Sequence, residues 1–152
     1  MAKLHLHFTI PVPIFELLHK SPVKTNNMPF KFEKLEIWNL AMNLAEDIHL
    51  ITRKFPKEEL FNLASQFNRA GDSIALNISE GSIGQSNKEQ RKFLSYSIRS
   101  IAESVCCMYK AFRRSYISQS EFTDLYQKAE ILFRKTNAFR NTLVIPGTNT
   151  KK

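Results

Sequence analysis

The sequence predicts an all-α protein, an antiparallel up-down-up-down four-helix bundle with an extended N-terminal arm. Four long segments between residues 33 and 143 repeat apolar side chains at intervals of three and four, the spacing of one helix face. The chain has 4 Gly in 152 residues, too few for a fold built on many tight turns. Short linkers between the four segments make successive helices antiparallel neighbours.

The first two helices are predicted from their apolar stripes. The first stripe runs from Leu35 to Ile51, and we expect its helix to end near residue 55, because the residue before a proline is disfavoured in the α region. The second stripe runs from Leu60 to Ile78. Gly81 is predicted to end this second helix, since glycine takes the left-handed conformation without a steric penalty.

Two capping boxes predict where the third and fourth helices begin. In such a box a serine side chain accepts from the amide three residues on, and the side chain at that position bonds back to the serine amide. Ser86 and Glu89 form the first pair, and Ser118 and Glu121 form the second. The apolar stripes that follow extend to residues 112 and 139.

The two ends of the chain differ from the helical region, which we place at residues 30–143. Residues 1–29 contain four prolines and are predicted to form a flexible arm. Two interpretations stay open: translation starts at Met28 and residues 1–27 are upstream sequence, or the arm docks on a neighbouring subunit. The side chains that would dock are Phe8, Ile10, Ile14, Phe15, Leu17 and Leu18. Residues 144–152 are predicted to be a disordered tail.

Composition narrows the class of protein. The chain is 43% hydrophobic and 11% aromatic, which is enough apolar material for a core. No apolar run reaches the roughly 18–20 residues of a membrane span, so we expect no membrane partner. The two cysteines, Cys106 and Cys107, are adjacent, which excludes a disulfide framework and indicates a reducing, cytoplasmic location.

The sequence offers no pattern that would supply an active site, so we expect a protein that is not an enzyme and holds no cofactor. Neither cysteine has a histidine beside it to activate a thiolate. A dimetal site in a bundle needs a Glu-x-x-His pair from each of two helices. Glu46 and His49 form one such pair in the helical region, and a second is lacking, so no metal site is expected.

The net charge of +8 suggests an anionic partner. Only half of this charge lies in the helical region, which weakens the inference. Residues 30–143 hold 17 basic and 13 acidic side chains, an excess of +4. In the predicted topology helices one and three end at the same pole, where a ring of copies would repeat a phosphate-binding surface. The alternative is that these cations complement the helix dipoles. The six residues are Arg53, Lys54, Lys57, Lys110, Arg113 and Arg114.

A second polar group lies beside the apolar stripes of helices two and three. Its members on helix two are spaced by four and three and therefore share a face. We predict either a subunit contact or a buried network that fixes one helix packing among several. The residues are Arg69, Ser73, Asn77, Glu80, Ser100 and Glu103.

Three stretches of the sequence resemble the four-helix-bundle proteins named after 23S rRNA intervening sequences, and the resemblance spans about residues 30–143. The chain differs from many members in carrying Arg99 where they have Gly, which puts close packing at that position in doubt. The first stretch, at residues 32–38, is similar to the family's opening of helix one. The second contains Phe55, Pro56, Glu59, Leu63, Gln66, Arg69, Ala70, Ser73, Ile74, Asn77, Ile78, Glu80 and Gly81, and the third Phe93, Leu94, Ser97, Ser100 and Glu103.

The resemblance implies a bundle that assembles into a ring-like homo-oligomer, a pentamer. The architecture is also similar to accessory proteins of diversity-generating retroelements, which bind nucleic acid and a reverse transcriptase. It implies no catalytic residue. Two functions therefore stay open: a protein that binds structured RNA or a ribonucleoprotein through basic helix ends, and a scaffold or adaptor that works as a homo-oligomeric ring with protein partners.

Overall fold

The computed structural model describes residues 29–84 and 86–144, and within them all regular structure is helical. The four α-helices are α1 (Glu36–Thr52), α2 (Leu63–Ser82), α3 (Asn87–Arg113) and α4 (Gln119–Thr142). Short 3₁₀ helices at Lys31–Lys34 and Lys57–Glu59 precede α1 and α2. The all-α prediction is confirmed, whereas nearly all of the predicted arm and tail lies outside the described residues.

The helices enclose one apolar core. Each helix packs against the next in the chain, α1 also packs against α4, and the most extensive contact joins α2 to α3. The helix spacing of apolar residues explains this arrangement, because each helix turns one stripe inward. The largest fully buried apolar side chains are Leu44, Ile48, Phe67, Ile74, Ile78, Leu94, Ile101, Met108 and Leu132.

Side chains connect the ends of helices that are distant in the sequence. Lys54, just after α1, lies 2.8 Å from the Glu121 carboxylate at the start of α4. Arg114, just after α3, lies 2.7 Å from the Glu59 carboxylate that precedes α2. These pairings favour the up-down-up-down order of the four helices.

The two predicted capping boxes differ in the structure. At Ser118 both bonds form: its hydroxyl accepts from the Glu121 amide, and its own amide donates to the Glu121 carboxylate at 2.7 Å. At Ser86 the hydroxyl accepts from the Glu89 amide at 3.3 Å, but the Glu89 carboxylate lies 3.8 Å from the Lys92 amine instead of bonding back. The second prediction is confirmed and the first holds for one bond of the two.

The prediction that Gly81 ends the second helix is wrong. Gly81 is buried inside α2, which continues to Ser82. A Cβ added at Gly81 would lie 2.8 Å from the Cβ of Phe93 on α3, so a hydrogen is needed there for close packing of the two helices. The left-handed conformation occurs at Gly84 instead, with φ of +63°.

Candidate functional site

We call the six predicted cations at the ends of α1 and α3 the basic pole. Arg53 and Lys54 follow α1, and Lys57 opens the 3₁₀ helix before α2. Lys110 and Arg113 lie in the last turn of α3, and Arg114 follows it. All six side chains are exposed, so the whole set is accessible in the described structure.

Contacts between two loops bring the six cations to one end of the molecule. The ring of Phe55, after α1, lies 5.4 Å from the ring of Tyr116, after α3. The Tyr116 hydroxyl donates to a Glu59 carboxylate oxygen at 3.1 Å. The loop after α1 and the loop after α3 are therefore in contact.

Two of the six cations are engaged by carboxylates. Lys54 pairs with Glu121, and this hydrogen bond is the main cause that lowers the pKa of Glu121. Arg114 pairs with Glu59, whose pKa is lowered first by the Leu63 amide and then by Tyr116 and Arg114. Both carboxylates therefore stay ionised near neutral pH. They neutralise Lys54 and Arg114, two of the six cations that the sequence predicted to bind phosphate.

The charge that remains at the basic pole is smaller than six. Residues 53–62 and 110–121 hold the six cations and three carboxylates, Glu58, Glu59 and Glu121, a net charge of +3. Four cations have no ion-pair partner among the described residues: Arg53, Lys57, Lys110 and Arg113. Six cations exceed what two helix dipoles need, and these four are the ones available to a phosphate backbone.

Two apolar side chains at the basic pole were missed by the sequence reasoning. Phe61 is 87% exposed and Leu60 59% exposed, in the turn between the 3₁₀ helix and α2. Leu60 fits the apolar stripe of α2 by spacing, so the sequence gives no clear signal that α2 begins only at Leu63. An exposed aromatic ring among cations is a surface on which an unpaired base can stack.

Three members of the predicted polar group are joined by hydrogen bonds, and the other three are exposed. The Ser100 hydroxyl donates to the Ser73 hydroxyl at 3.0 Å, and the Asn77 amide donates to the same hydroxyl at 3.0 Å. Arg69, Glu80 and Glu103 are exposed. Of these three, Glu103 accepts from Gln66 at 3.4 Å, while Arg69 and Glu80 form no ion pair among the described residues.

Buried serines line the contact between α2 and α3, which we call the α2–α3 seam. Ser97, Ser100 and Ser104 are buried on one face of α3. The Ser97 hydroxyl donates to the Ile74 carbonyl of α2 at 3.2 Å. Small side chains that satisfy their own hydroxyls let two helix backbones approach without an unpaired polar group. Several of the residues that carry the family resemblance, among them Ser73, Ser97 and Ser100, therefore act in packing α2 on α3.

Arg99 does not disturb this seam. Its side chain is exposed, and its guanidinium lies 5.7 Å from the centre of the Tyr96 ring. A cation over an aromatic face is favourable. Arg99 therefore takes up no space within the α2–α3 seam.

The described residues contain no cluster of metal-binding side chains, and the buried cysteine has a raised pKa. No group of three or more His, Cys, Asp or Glu side chains among the described residues could hold a metal ion. Glu46 and His49 are exposed on α1. Cys107 is buried, and this burial raises the pKa of its thiol to about 11, so it stays protonated near neutral pH.

An open cleft of about 670 Å³ lies along α1 and α2, and we call it the α1–α2 groove. Its apolar walls include Phe32, Trp38, Met42 and Leu76. Met42 is 46% exposed and Leu76 64% exposed, which is unusual for large side chains that flank a core. The groove was not predicted from the sequence, because both residues also fit positions on the edge of a helix stripe.

In the described part of the chain, each helix is too short or too polar to cross a bilayer. The fold and these surfaces define a four-helix-bundle protein whose accessible features are a cationic pole and an apolar groove. Residues 33–138 match the family described as 23S rRNA-intervening sequence protein, and the chain belongs to that family. The match includes the α2–α3 seam and the whole basic pole. Among curated proteins, none matches this chain.

Proposed function

We propose that this protein is a non-enzymatic homo-oligomer of the cytoplasm that binds structured RNA or a ribonucleoprotein through its basic pole. The observation that carries the proposal is the group of four exposed cations, without ion-pair partners among the described residues, at one end of the bundle. Lys and Arg that meet phosphates release counterions, which gives binding without a particular base sequence. The family's description, 23S rRNA-intervening sequence protein, names no ligand and no activity.

The proposed working form is a ring of five copies of an up-down-up-down bundle, as the family resemblance implies. The end-to-end pairings of Lys54 with Glu121 and of Arg114 with Glu59 support the up-down order. A single pole with a net charge of +3 binds weakly. In a ring each copy presents the same pole, so a folded RNA that reaches several poles gains from their high effective concentration.

Phe61 adds a second kind of contact to the proposed interface. A base stacked on an aromatic ring contributes about 1–3 kcal/mol, and this contribution is insensitive to salt compared with phosphate contacts. The expected target therefore has unpaired bases next to a helical backbone. A blunt duplex is expected to bind through the cations alone.

A gel-shift titration of a structured RNA at 50 and 200 mM salt tests the proposal. If four cations contact phosphates, the logarithm of affinity falls with a slope of about −3 against the logarithm of salt, which is a loss of affinity of roughly 60-fold between these concentrations. Absence of binding, or binding that does not respond to salt, contradicts the proposal.

Charge reversals locate the interface. Lys57→Glu with Arg113→Glu is expected to weaken binding and to reduce the salt slope by about 1.5. The matched control is Lys34→Glu with Lys88→Glu, two exposed cations that also lack ion-pair partners among the described residues and lie near the opposite ends of their helices. The control is expected to bind almost as well as the unmodified protein, and equal loss in both variants would place the interface elsewhere.

A scaffold for protein partners is the second candidate function. The observation that favours it is the pair of exposed rings Tyr109 on α3 and Tyr126 on α4, whose centres lie 6.3 Å apart. Ile131 and Phe133 on α4 are also exposed. Exposed Arg69, Glu80 and Glu103 would then serve as subunit contacts. If Arg113→Glu with Arg114→Glu leaves the cellular effect of the protein intact, the scaffold is favoured over RNA binding.

A further inference from the structure

The α1–α2 groove combines exposed apolar walls with an acidic rim. Trp38, Met42 and Leu76 supply apolar surface. Glu46 and Asp72 line the same groove, are exposed, and form no ion pair among the described residues. A surface of this kind fits an occupant that brings apolar side chains together with positive charge.

We propose that residues 1–28 of the same chain occupy the α1–α2 groove. This segment lies outside the described residues, and its sequence has the complementary character. Residues 8–18 contain seven large apolar side chains: Phe8, Ile10, Val12, Ile14, Phe15, Leu17 and Leu18. The three lysines of the segment, Lys3, Lys20 and Lys24, lie on either side of residues 8–18, which themselves hold Glu16 and no lysine. These flanking lysines are the charges that would oppose the two carboxylates of the groove.

The position of the groove makes binding within one chain the simplest arrangement. Phe32 lines the groove and stands four positions after residue 28. The groove follows α1 from Trp38 to His49, a length of about 17 Å at 1.5 Å per residue. Residues 19–28 span up to roughly 33 Å when extended, so residues 8–18 can reach any part of it. A segment attached so close to its site has a local concentration on the order of millimolar.

This inference does not depend on the proposed RNA binding, because the groove and the basic pole are formed by different residues. It also gives the N-terminal segment a role that is independent of oligomerisation. Between the two interpretations that the sequence left open, it favours a translated and docked segment, and it replaces docking on a neighbouring subunit by docking within the chain.

The single tryptophan of the chain reports directly on the groove, because Trp38 lines it. The experiment compares acrylamide quenching of Trp38 fluorescence in the full chain and in a chain that starts at Met28. We expect a larger quenching constant and a red-shifted emission maximum in the shorter chain. A synthetic peptide of residues 1–28, added to the shorter chain, is expected to reverse both changes in a saturable way.

Variants of the full chain separate docking from general effects of the segment. Phe15→Asp with Leu18→Asp is expected to raise quenching to the level of the shorter chain. The control, Ala2→Asp with Thr25→Asp, introduces the same charge outside the apolar run and is expected to raise quenching by less, because the apolar side chains that fill the groove are intact. On the groove side, Leu76→Glu is expected to abolish the difference between the two chain lengths, whereas Ile131→Glu, at an exposed apolar position of α4 outside the groove, preserves it.

Far-UV circular dichroism of each chain verifies that the bundle is folded before quenching is compared. Equal quenching of Trp38 in the full and shorter folded chains overturns the proposal. Protection that appears in the full chain only as its concentration rises also overturns it, since the segment would then dock on another copy.

Discussion

At the α2–α3 seam the size of single side chains sets how closely two helices approach. Gly81 faces the Cβ of Phe93, and Ser97 reaches a carbonyl of α2 with its hydroxyl. A Cβ added at Gly71 would lie 3.0 Å from the Cδ1 of Ile48 on α1, which is the end of a flexible side chain rather than its root. The side chain that faces Gly71 can therefore move away from an added methyl group more easily than the one that faces Gly81.

Gly81→Ala is expected to lower the free energy of unfolding by about 1–3 kcal/mol, because the new methyl group overlaps a Cβ that cannot move without the backbone of α3. The gain in helix propensity, about 0.5–1 kcal/mol, offsets part of this loss. Gly71→Ala is the control and is expected to cost less, since Ile48 can rotate. Urea denaturation of the three proteins measures the order, and a larger loss for Gly71→Ala would contradict it.

A buried hydroxyl on α4 gives a prediction of the opposite sign. Thr136 is fully buried, and its hydroxyl has no hydrogen-bond partner among the described residues. Thr136→Val removes that unpaired group and is expected to raise the free energy of unfolding by about 1 kcal/mol.

Thr52→Val is the matched control for this substitution. The Thr52 hydroxyl, also buried, donates to the His49 carbonyl at 2.9 Å and accepts from Asn68 at 2.9 Å. Its removal leaves Asn68 with one partner fewer and is expected to destabilise the protein. Thermal denaturation of both variants tests the pair, and a destabilised Thr136→Val protein would show that its hydroxyl is satisfied in solution.

At the scale of helices, the start of α4 is the most strongly specified terminus. Glu121 completes the capping box of Ser118 and also receives Lys54 from the end of α1. One carboxylate therefore serves both the cap of a helix and the contact between two helices. Its ionisation links the stability of this junction to pH.

At acid pH, below the ordinary pKa of a glutamate, this junction is expected to weaken. The pKa of Glu121 is lowered in the folded protein, so its contribution is complete above its ordinary value near 4.5 and is lost as the pH falls below that value. Lys54→Met removes the main cause and is expected to move the pKa of Glu121 part of the way back, because the bond from the Ser118 amide remains. NMR titration of the Glu121 carboxyl measures this shift, and an unchanged pKa in Lys54→Met would contradict the assignment.

Helices were predictable from the sequence because their apolar stripes are long and regular, whereas their ends depend on the neighbouring helix. Spacing alone could not separate a glycine chosen for its conformation from one chosen for its size, and Gly81 is the second kind. The same limit applies to Leu60, whose spacing fits α2 although it lies in the preceding turn. Both errors have the same cause: contacts with a neighbouring element determine where a helix begins or ends.

The sequence predicted which cations lie at the basic pole, but not how much of their charge is neutralised by carboxylates. Sequence order placed six cations near one end, and the structure finds all six exposed there. Glu59 and Glu121 pair with two of them across 55 and 67 positions of sequence, a distance over which spacing rules carry no information. The α1–α2 groove was missed for the same reason, since it is formed by two helices together.

For the whole molecule, the exposed charged side chains of α2 raise the question of assembly. Glu80 is exposed and lies on the helix face that carries the polar residues of the family resemblance. Glu58 is also exposed but lies in the 3₁₀ helix at the basic pole. Neither forms an ion pair among the described residues, which makes them a matched pair for substitution.

Light scattering of the full chain is expected to give five times its mass of 17.6 kDa, in keeping with the pentameric ring that the family resemblance implies. Glu80→Arg is expected to reduce the assembled fraction if the exposed polar face of α2 is a subunit contact, and Glu58→Arg is expected to leave it unchanged. A monomer at all concentrations would contradict the proposed ring, and equal effects of both variants would contradict the proposed contact.

The α2–α3 seam also has a consequence for the order in which the chain folds. Its two helices are joined by four residues, 83–86, so the loop that must close is short. The contact of α1 with α4, by contrast, joins residues such as Glu36 and Lys135, which are 99 positions apart. We expect the α2–α3 hairpin to form first and α1 with α4 to close the bundle last. Native-state hydrogen exchange should then find the slowest amides in α2 and α3, and slower exchange in α1 or α4 would reverse this order.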